Sequence, residues 1–172
     1  WDIVEYDMSS DAGADSGCAA ALTLAFELVA DLSSSEEGRS ELEVAFGLCP
    51  GVLTSDLDGD GLRLQNRILL AYDDYAMGNY PFSSNYLSGT SPLPPFPMRA
   101  ACKLVAHPAD KSNEALLAAA GASVNLLYNA SGDVGCFDSL PPRENEGEDG
   151  IWEAQWCSEY MCQETYFTRR AG

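Results

Sequence analysis

The sequence holds a single histidine, His107, and six cysteines with no Cys-x-x-Cys pair among them. With one imidazole and scattered thiols, a zinc site of ordinary spacing is not expected, and no other cofactor is implied. Basic residues are few: nine Lys and Arg stand against 27 Asp and Glu, a net charge of −18. Nucleic acids and anionic membranes need a positive face, so neither is expected as a partner. No apolar run approaches the roughly eighteen residues of a membrane-spanning helix. A Gly-x-Ser-x-Gly elbow is also missing. Gly13-Ala14-Asp15-Ser16-Gly17 carries its serine one place too late, and no strand pattern leads into it. His107 precedes Pro108 at a helix end, where it reads as a surface residue facing the helix dipole. No Ser-His-Asp triad can be assembled from these residues, so the chain alone is expected to be inactive as a serine hydrolase. It starts at Trp1 without a signal-peptide pattern, and the expectation is an excised or processed segment of a longer protein.

What is present is apolar and helical. The chain has 172 residues, 46% of them hydrophobic, enough for one domain with a sizeable core. Residues 1–17 begin with Trp1, Ile3 and Tyr6 as covering side chains and drift into turn residues. Cys18 to Leu32 is rich in Ala and Leu, lacks Gly and Pro, and reads as a helix capped by Asp15 or Ser16. Being apolar almost all round, it is expected to be buried on more than one side. A second helix starts at Glu36 and Glu37, whose charges suit an N-terminus. It carries Leu42, Ala45, Phe46 and Cys49 at helical spacing and ends at Pro50-Gly51. A third runs from about Gly61 to Met77 with Leu62, Ile68, Leu69, Tyr72, Tyr75 and Ala76 on its apolar face, and Gly78 closes it. Met98 to Ala106 is a short helix stopped by Pro108. Another, capped by Ser112 or Asn113, runs to about Tyr128 through Leu116, Leu117, Ala120, Val124 and Leu127. Residues 139–150 are polar and turn-rich. Ile151 to Phe167 mixes Trp152, Trp156, Tyr160 and Met161 with no decisive period.

Between the third helix and the next lies Tyr80 to Pro97, with five prolines that exclude both helix and central strand. It also carries Tyr80, Phe82, Tyr86, Leu87, Leu93 and Phe96, and a solvated linker is poor in such side chains. An ordered, extended segment that crosses helices and buries aromatics is therefore expected. The fold class is all-α, a helical bundle with one long Pro-rich crossing. Asp56-x-Asp58-x-Asp60-Gly61 opens like a calcium loop, but the ninth position is Leu64 and the twelfth is Arg67, where a bidentate Glu is required. An acidic first turn for the third helix is the preferred reading. An even cysteine count and an Asn-Ala-Ser acceptor at Asn129 suit a secretory, oxidising compartment.

Several motifs in one order carry a resemblance. They are Tyr80-Pro81-Phe82-Ser83-Ser84-Asn85-Tyr86-Leu87, then Pro92-Leu93-Pro94-Pro95-Phe96-Pro97 with Cys102 shortly after. Tyr128-Asn129-Ala130-Ser131-Gly132, Cys136, and Trp152-Glu153-Ala154-Gln155-Trp156-Cys157-Ser158-Glu159 follow. Together they resemble the prolylcarboxypeptidase and dipeptidyl peptidase II family of lysosomal serine exopeptidases. The resemblance covers nearly the whole chain but only the middle of the family. It implies that residues 1–150 are the helical insertion, or SKS domain, of a parent α/β-hydrolase fold mostly absent here. Residues 151–172 would be a return segment toward that hydrolase domain, which supplies the Ser, Asp and His. The implied substrate is a Pro-containing peptide, the implied compartment lysosomal, vacuolar or extracellular, and a homodimer of the parent stays open as an assembly. The resemblance further implies disulfides Cys18–Cys102 and Cys49–Cys136, and a Cys157 partner further along. Cys162 departs from the family spacing, and the loop from Leu87 to Pro92 is longer. Glu153, after Trp152, stands where the dipeptidyl peptidase branch has an acidic residue that binds the substrate's N-terminal ammonium. The competing reading is a free-standing acidic, disulfide-linked helical module that binds a partner through its aromatic Pro-rich face.

Overall fold

The computed structural model describes residues 2–54, 59–89 and 91–140. Trp1, Asp56, Asp58 and residues 141–172, with Trp152, Glu153, Cys157 and Cys162, lie outside them, and so do most of the expected loop of 139–150 and the whole of the expected return segment. The described body is six helices: α1 (Asp2–Asp7), α2 (Cys18–Leu32), α3 (Glu36–Phe46), α4 (Asp60–Met77), α5 (Pro97–Ala106) and α6 (Asn113–Tyr128). A short 3-10 turn, Ser10–Ala12, follows α1. Among the described residues there is no sheet, only the isolated bridges Leu48 with Phe137 and Ser84 with Leu93. The fold is all-α.

The helices form where capping and apolar spacing agree. Ser35 Oγ accepts from the Gly38 amide at 3.0 Å and starts α3, while Ser112 Oγ accepts from the Ala115 amide at 3.1 Å and starts α6. Pro97 opens α5, where its missing N–H costs nothing. α3 ends at Gly47, whose φ of 68° turns the chain out of the helix, so Pro50-Gly51 and Cys49 lie beyond the helix rather than at its end. α2 has no side-chain cap; Asp15 Oδ1 instead accepts from the Gly17 amide at 3.0 Å and shapes the entry turn.

α2 and α6 stand at the centre. α2 touches α3, α4, α5 and α6, and α6 touches α2, α3, α4 and α5. The stripe Cys18, Leu22, Ala25 and Val29 of α2 faces Leu117, Ala120, Val124 and their neighbours in one core with Leu42, Phe46, Leu64, Ile68, Tyr75 and Met98. Fully burying each large side chain of this set is worth about 1.5–3 kcal/mol. α3 and α6 approach so closely that a Cβ on Gly121 would fall on the Ala45 carbonyl oxygen.

Three sequence expectations change. α2 is buried along one stripe only: Ala19, Ala20 and Leu24 face outward, and alanines carry too little apolar area to require cover. Residues 2–7 form a helix, and Val4 is its buried residue, whereas Ile3 and Tyr6 are exposed. Leu62 is 71% exposed, and Leu64 takes the core position in its place. The face of α4 is set by Gly61, Leu64, Ile68, Ala71 and Tyr75.

Candidate functional site

The Pro-rich stretch is ordered, and it joins α4 to α5 by folding back on itself. The Phe96 amide donates to Tyr80 O at 2.7 Å and closes its base. Within it, the Leu93 amide donates to Ser84 O at 2.8 Å, the Ser84 amide to Leu93 O at 3.2 Å, and Ser83 Oγ to the same Leu93 oxygen at 2.7 Å. Pro92, Pro94 and Pro95 have no amide to donate, so these positions cost the turn no hydrogen bond. Phe96 sits at φ 50°, strained for a side-chain-bearing residue, and Arg99 holds it there. The Arg99 guanidinium lies 3.9 Å above the Phe96 ring, and its Nε donates to Ala12 O at 2.8 Å.

Only part of the aromatic set is buried. Leu93 and Pro97 anchor the loop in the core, but Phe82 is 59% and Tyr86 72% exposed. Tyr80 and Phe82 stack with centroids 5.4 Å apart and planes 2° from parallel, and Tyr86 meets Tyr80 edge-on. With Gly78, Leu87 and Pro94 they line a shallow apolar cleft. The expectation of buried aromatics fails here because the rings pack on one another and leave their outer faces to solvent. Such a face suits aliphatic or imino-acid rings and offers no charged group.

Cys18 pairs with Cys102, and Cys49 with Cys136. These are the two pairs the resemblance implied. The first ties α2 to α5 in the core; the second ties the chain after α3 to the chain after α6. By the chain-entropy argument each loop is worth on the order of 4 kcal/mol.

Asn129 ends α6. Its Nδ2 donates to Val134 O at 3.0 Å, and its Oδ1 accepts from the Val134 amide at 3.0 Å. The turn is at the surface, and Nδ2 keeps a second hydrogen. His107 Nε2 lies 2.7 Å from Asp15 Oδ2, with the imidazole 64% exposed. The Gly17 amide and then His107 hold the Asp15 carboxyl below the usual carboxylate range. The pair is a surface clasp between the approach to α2 and the end of α5. Asp60 Oδ2 accepts from the Thr54 amide at 2.7 Å, and Oδ1 faces Arg63 Nη1 at 3.2 Å, so its oxygens organise the first turn of α4. Asp56 and Asp58 lie outside the described residues, and among those described no group of three His, Cys, Asp or Glu could hold a metal.

Two buried groups and one half-buried carboxyl escaped sequence reading. Arg67, 5% exposed, is held between the rings of Tyr128 at 4.0 Å and Phe137 at 4.1 Å, and burial lowers its pKa. Its position on the α4 core stripe was the available signal. Glu43, 8% exposed, accepts the Gly51 and Leu53 amides on Oε1 at 2.9 and 2.8 Å. Burial, with Asp73 beside it, pushes the Asp74 carboxyl up to about 6.

The described residues thus define a disulfide-braced all-α domain with an exposed aromatic loop. No protein-family model matches the chain. Among curated proteins, it is 29% identical over 145 residues to the lysosomal Pro-X carboxypeptidase of Homo sapiens, and equally to that of Pongo abelii. These matches take in 84% of this chain and 27% of each relative. A prolyl carboxy peptidase like protein 5 of Caenorhabditis elegans is 32% identical over 153 residues, 86% of this chain and 29% of that protein. Over 84–86% of its length the chain is similar to proteins of the prolylcarboxypeptidase family. It spans just over a quarter of the length of the curated relatives it matches. Relatives named as lysosomal, together with two disulfides, fit a secretory-pathway protein. Among the described residues no helix is long and apolar enough to cross a membrane.

Proposed function

We propose that the chain is the helical cap of a serine exopeptidase that acts next to proline, narrowing access so that only a peptide terminus reaches the nucleophile. The observation that carries this reading is the match of 84–86% of the chain to 27–29% of relatives named as carboxypeptidases of Pro-X or prolyl type. The physics fits a cap. A disulfide-braced helical body with a closed aromatic loop can exclude water and present an apolar, proline-compatible wall. On this reading residues 1–150 cap the cleft and residues 151–172 return to a hydrolase domain that supplies Ser, Asp and His. Asn129 carries N-linked glycan, on an exposed turn with Nδ2 at the surface.

Glu153 sets which terminus is read. A carboxylate facing a substrate ammonium in a partly dehydrated cleft makes a charge-assisted hydrogen bond. Held at a fixed distance from the nucleophile, it measures two residues from the N-terminus. The test compares free and N-acetylated Xaa-Pro substrates on the enzyme that contains this chain, wild type and Glu153→Gln. The expected result is a raised KM for the free substrate in the variant, costing on the order of 2 kcal/mol. Equal wild-type turnover of the two substrates would show that no ammonium is read and would favour carboxypeptidase specificity.

A second reading, a helical binding module, is favoured by the outward faces of Phe82 and Tyr86. The flanking coding sequence separates the two: the peptidase reading requires Gly-x-Ser-x-Gly upstream, then Asp and His downstream.

A further inference from the structure

The two disulfides sit in different surroundings. Cys18 and Cys102 are both at 0% exposure, inside the core between α2 and α5. Cys136 is exposed and Cys49 half-buried. Thiol–disulfide exchange needs an attacking thiolate to reach a sulfur, so access separates the two bonds before any other property does.

Cys136 belongs to the segment that leaves α6, residues 129–140. Residues 131–136, 138 and 139 are exposed. Among the described residues, few contacts hold this segment to the helices. The Phe137 amide donates to Gly47 O at 2.9 Å, and Phe137 O accepts from the Cys49 amide at 2.8 Å. Arg63 Nη2 donates to Leu140 O at 3.1 Å, and Leu140 itself is buried. The Phe137 ring closes one side of the Arg67 sandwich. Tyr128, on the other side, belongs to α6 and stays with the core. Arg67 Nε and Nη2 meet no acceptor among the described residues, so for these two nitrogens the π faces stand in.

We propose that Cys49–Cys136 is a reducible latch: cutting it releases the segment around Phe137 and uncovers the Arg67 guanidinium, while the six-helix body stays folded. The reductant is a dithiol. Its thiolate attacks the exposed Cys136 sulfur and forms a mixed disulfide; the Cys49 thiolate leaves and takes up a proton. The second thiol of the reductant resolves the mixed disulfide, releasing Cys136 as a thiol and leaving the reductant oxidised. Two electrons and two protons pass to the chain. The body keeps Cys18–Cys102, which no thiolate reaches without opening the core. With the cross-link gone, two backbone hydrogen bonds, the Arg63 bond to Leu140 O, one ring contact and one buried leucine are, among the described residues, what holds a mostly exposed segment against its regained chain entropy.

The test treats the native chain with limiting dithiothreitol, traps free thiols with N-ethylmaleimide at intervals, and maps Cys18, Cys49, Cys102 and Cys136. Labelling of Cys49 and Cys136 is expected at least about tenfold faster than labelling of Cys18 and Cys102. Labelling of all four at one rate, or of Cys18 and Cys102 first, would overturn the latch. Hydrogen exchange on the Cys49→Ser, Cys136→Ser variant reads the consequence. The Cys49 and Phe137 amides should lose protection while those of α2 and α6 keep theirs. Loss of protection throughout the helices, or retained protection at Phe137, would refute a local release.

Discussion

Tyr72 Oη donates to Ser123 Oγ at 3.0 Å, and Ser123 Oγ donates in turn to Ala120 O at 2.7 Å. Tyr75 Oη donates to Ser123 O at 2.7 Å, so both tyrosines of α4 fasten to one residue of α6. Burial pushes both phenols well above their usual pKa, and they stay protonated donors at any physiological pH. The two ends of the Tyr72 bond should respond unequally. Ser123→Ala leaves a buried Tyr72 hydroxyl without an acceptor and is expected to cost about 1–3 kcal/mol. Tyr72→Phe removes the donor but leaves Ser123 its bond to Ala120, and should cost about 1 kcal/mol. Urea unfolding of the two variants checks the order. A larger loss for Tyr72→Phe would mean the ring hydroxyl is served by something other than Ser123.

Gly121 makes a steric prediction. A methyl there would overlap the Ala45 carbonyl oxygen, which is backbone and cannot swing aside. Gly121→Ala must push α6 from α3, and overpacking of this kind costs about 1–3 kcal/mol or more. An alanine in mid-helix otherwise stabilises by roughly 0.5–1 kcal/mol, so the sign of the change is diagnostic. Thermal melts decide it: a rise in Tm would show that the two helices have room to part.

Much of this was legible because local and global preferences agree. Cys18 to Leu32 has helix formers throughout and a stripe at i, i+4, i+7 and i+11, and the helix occupies those residues. α6 runs from the cap at Ser112 with the expected apolar set. Leu64 stands four residues before Ile68 on the stripe with Ala71 and Tyr75, whereas Leu62 points to the opposite side of α4, so the helical period itself favoured Leu64 and the sequence reading misplaced the face. Where the reading differed otherwise, tertiary packing decided. Aromatic content signalled an ordered loop between Tyr80 and Pro97. It could not say that the rings would cover each other instead of the helices. A composition that is apolar all round is no guarantee of burial on every side when the residues are alanines, as on the outer face of α2. Trp152 and Glu153 lie outside the described residues, so their role rests on motif and kinship alone.

Glu43 was invisible as a core residue because glutamate in a helix normally reads as solvated surface. Its side chain stays in the body and serves two amides of the loop that follows α3, Gly51 and Leu53. Glu43→Ala would leave both without that acceptor, one of them in a buried setting, and should cost about 1–3 kcal/mol. Glu43→Gln keeps a carbonyl oxygen in the same place and should recover most of it. Denaturant midpoints for the pair test this. Equal losses would show that charge, and not the acceptor, matters there.

The last expectation concerns pH. Asp74, half-buried on α4, has its carboxyl raised from an ordinary 3.8 to about 6, first by burial and then by the neighbouring Asp73. Tyr75 and Tyr128 are the other titratable groups whose charge it feels, and both are neutral in this range. The folded chain therefore binds this proton more tightly than the unfolded chain does. Its stabilising contribution is complete below about 3.8 and is lost as pH rises through about 6. Screening at a half-exposed site reduces the effect to about 1 kcal/mol. Asp15 and Asp110 act in the opposite sense: their lowered carboxyls favour the folded state above the ordinary range and lose that contribution on acidification, but both are exposed. Asp74→Asn fixes the neutral form. It should raise Tm at pH 7 by about 2–4 °C, leave Tm near pH 3 almost unchanged, and so narrow the gap between the two. A variant whose gap matches the wild type's would show that Asp74 is already ionised in the folded chain at mildly acidic pH. The acid preference expected of a chain with 27 acidic residues would then have to come from its many weaker repulsions rather than from this one site.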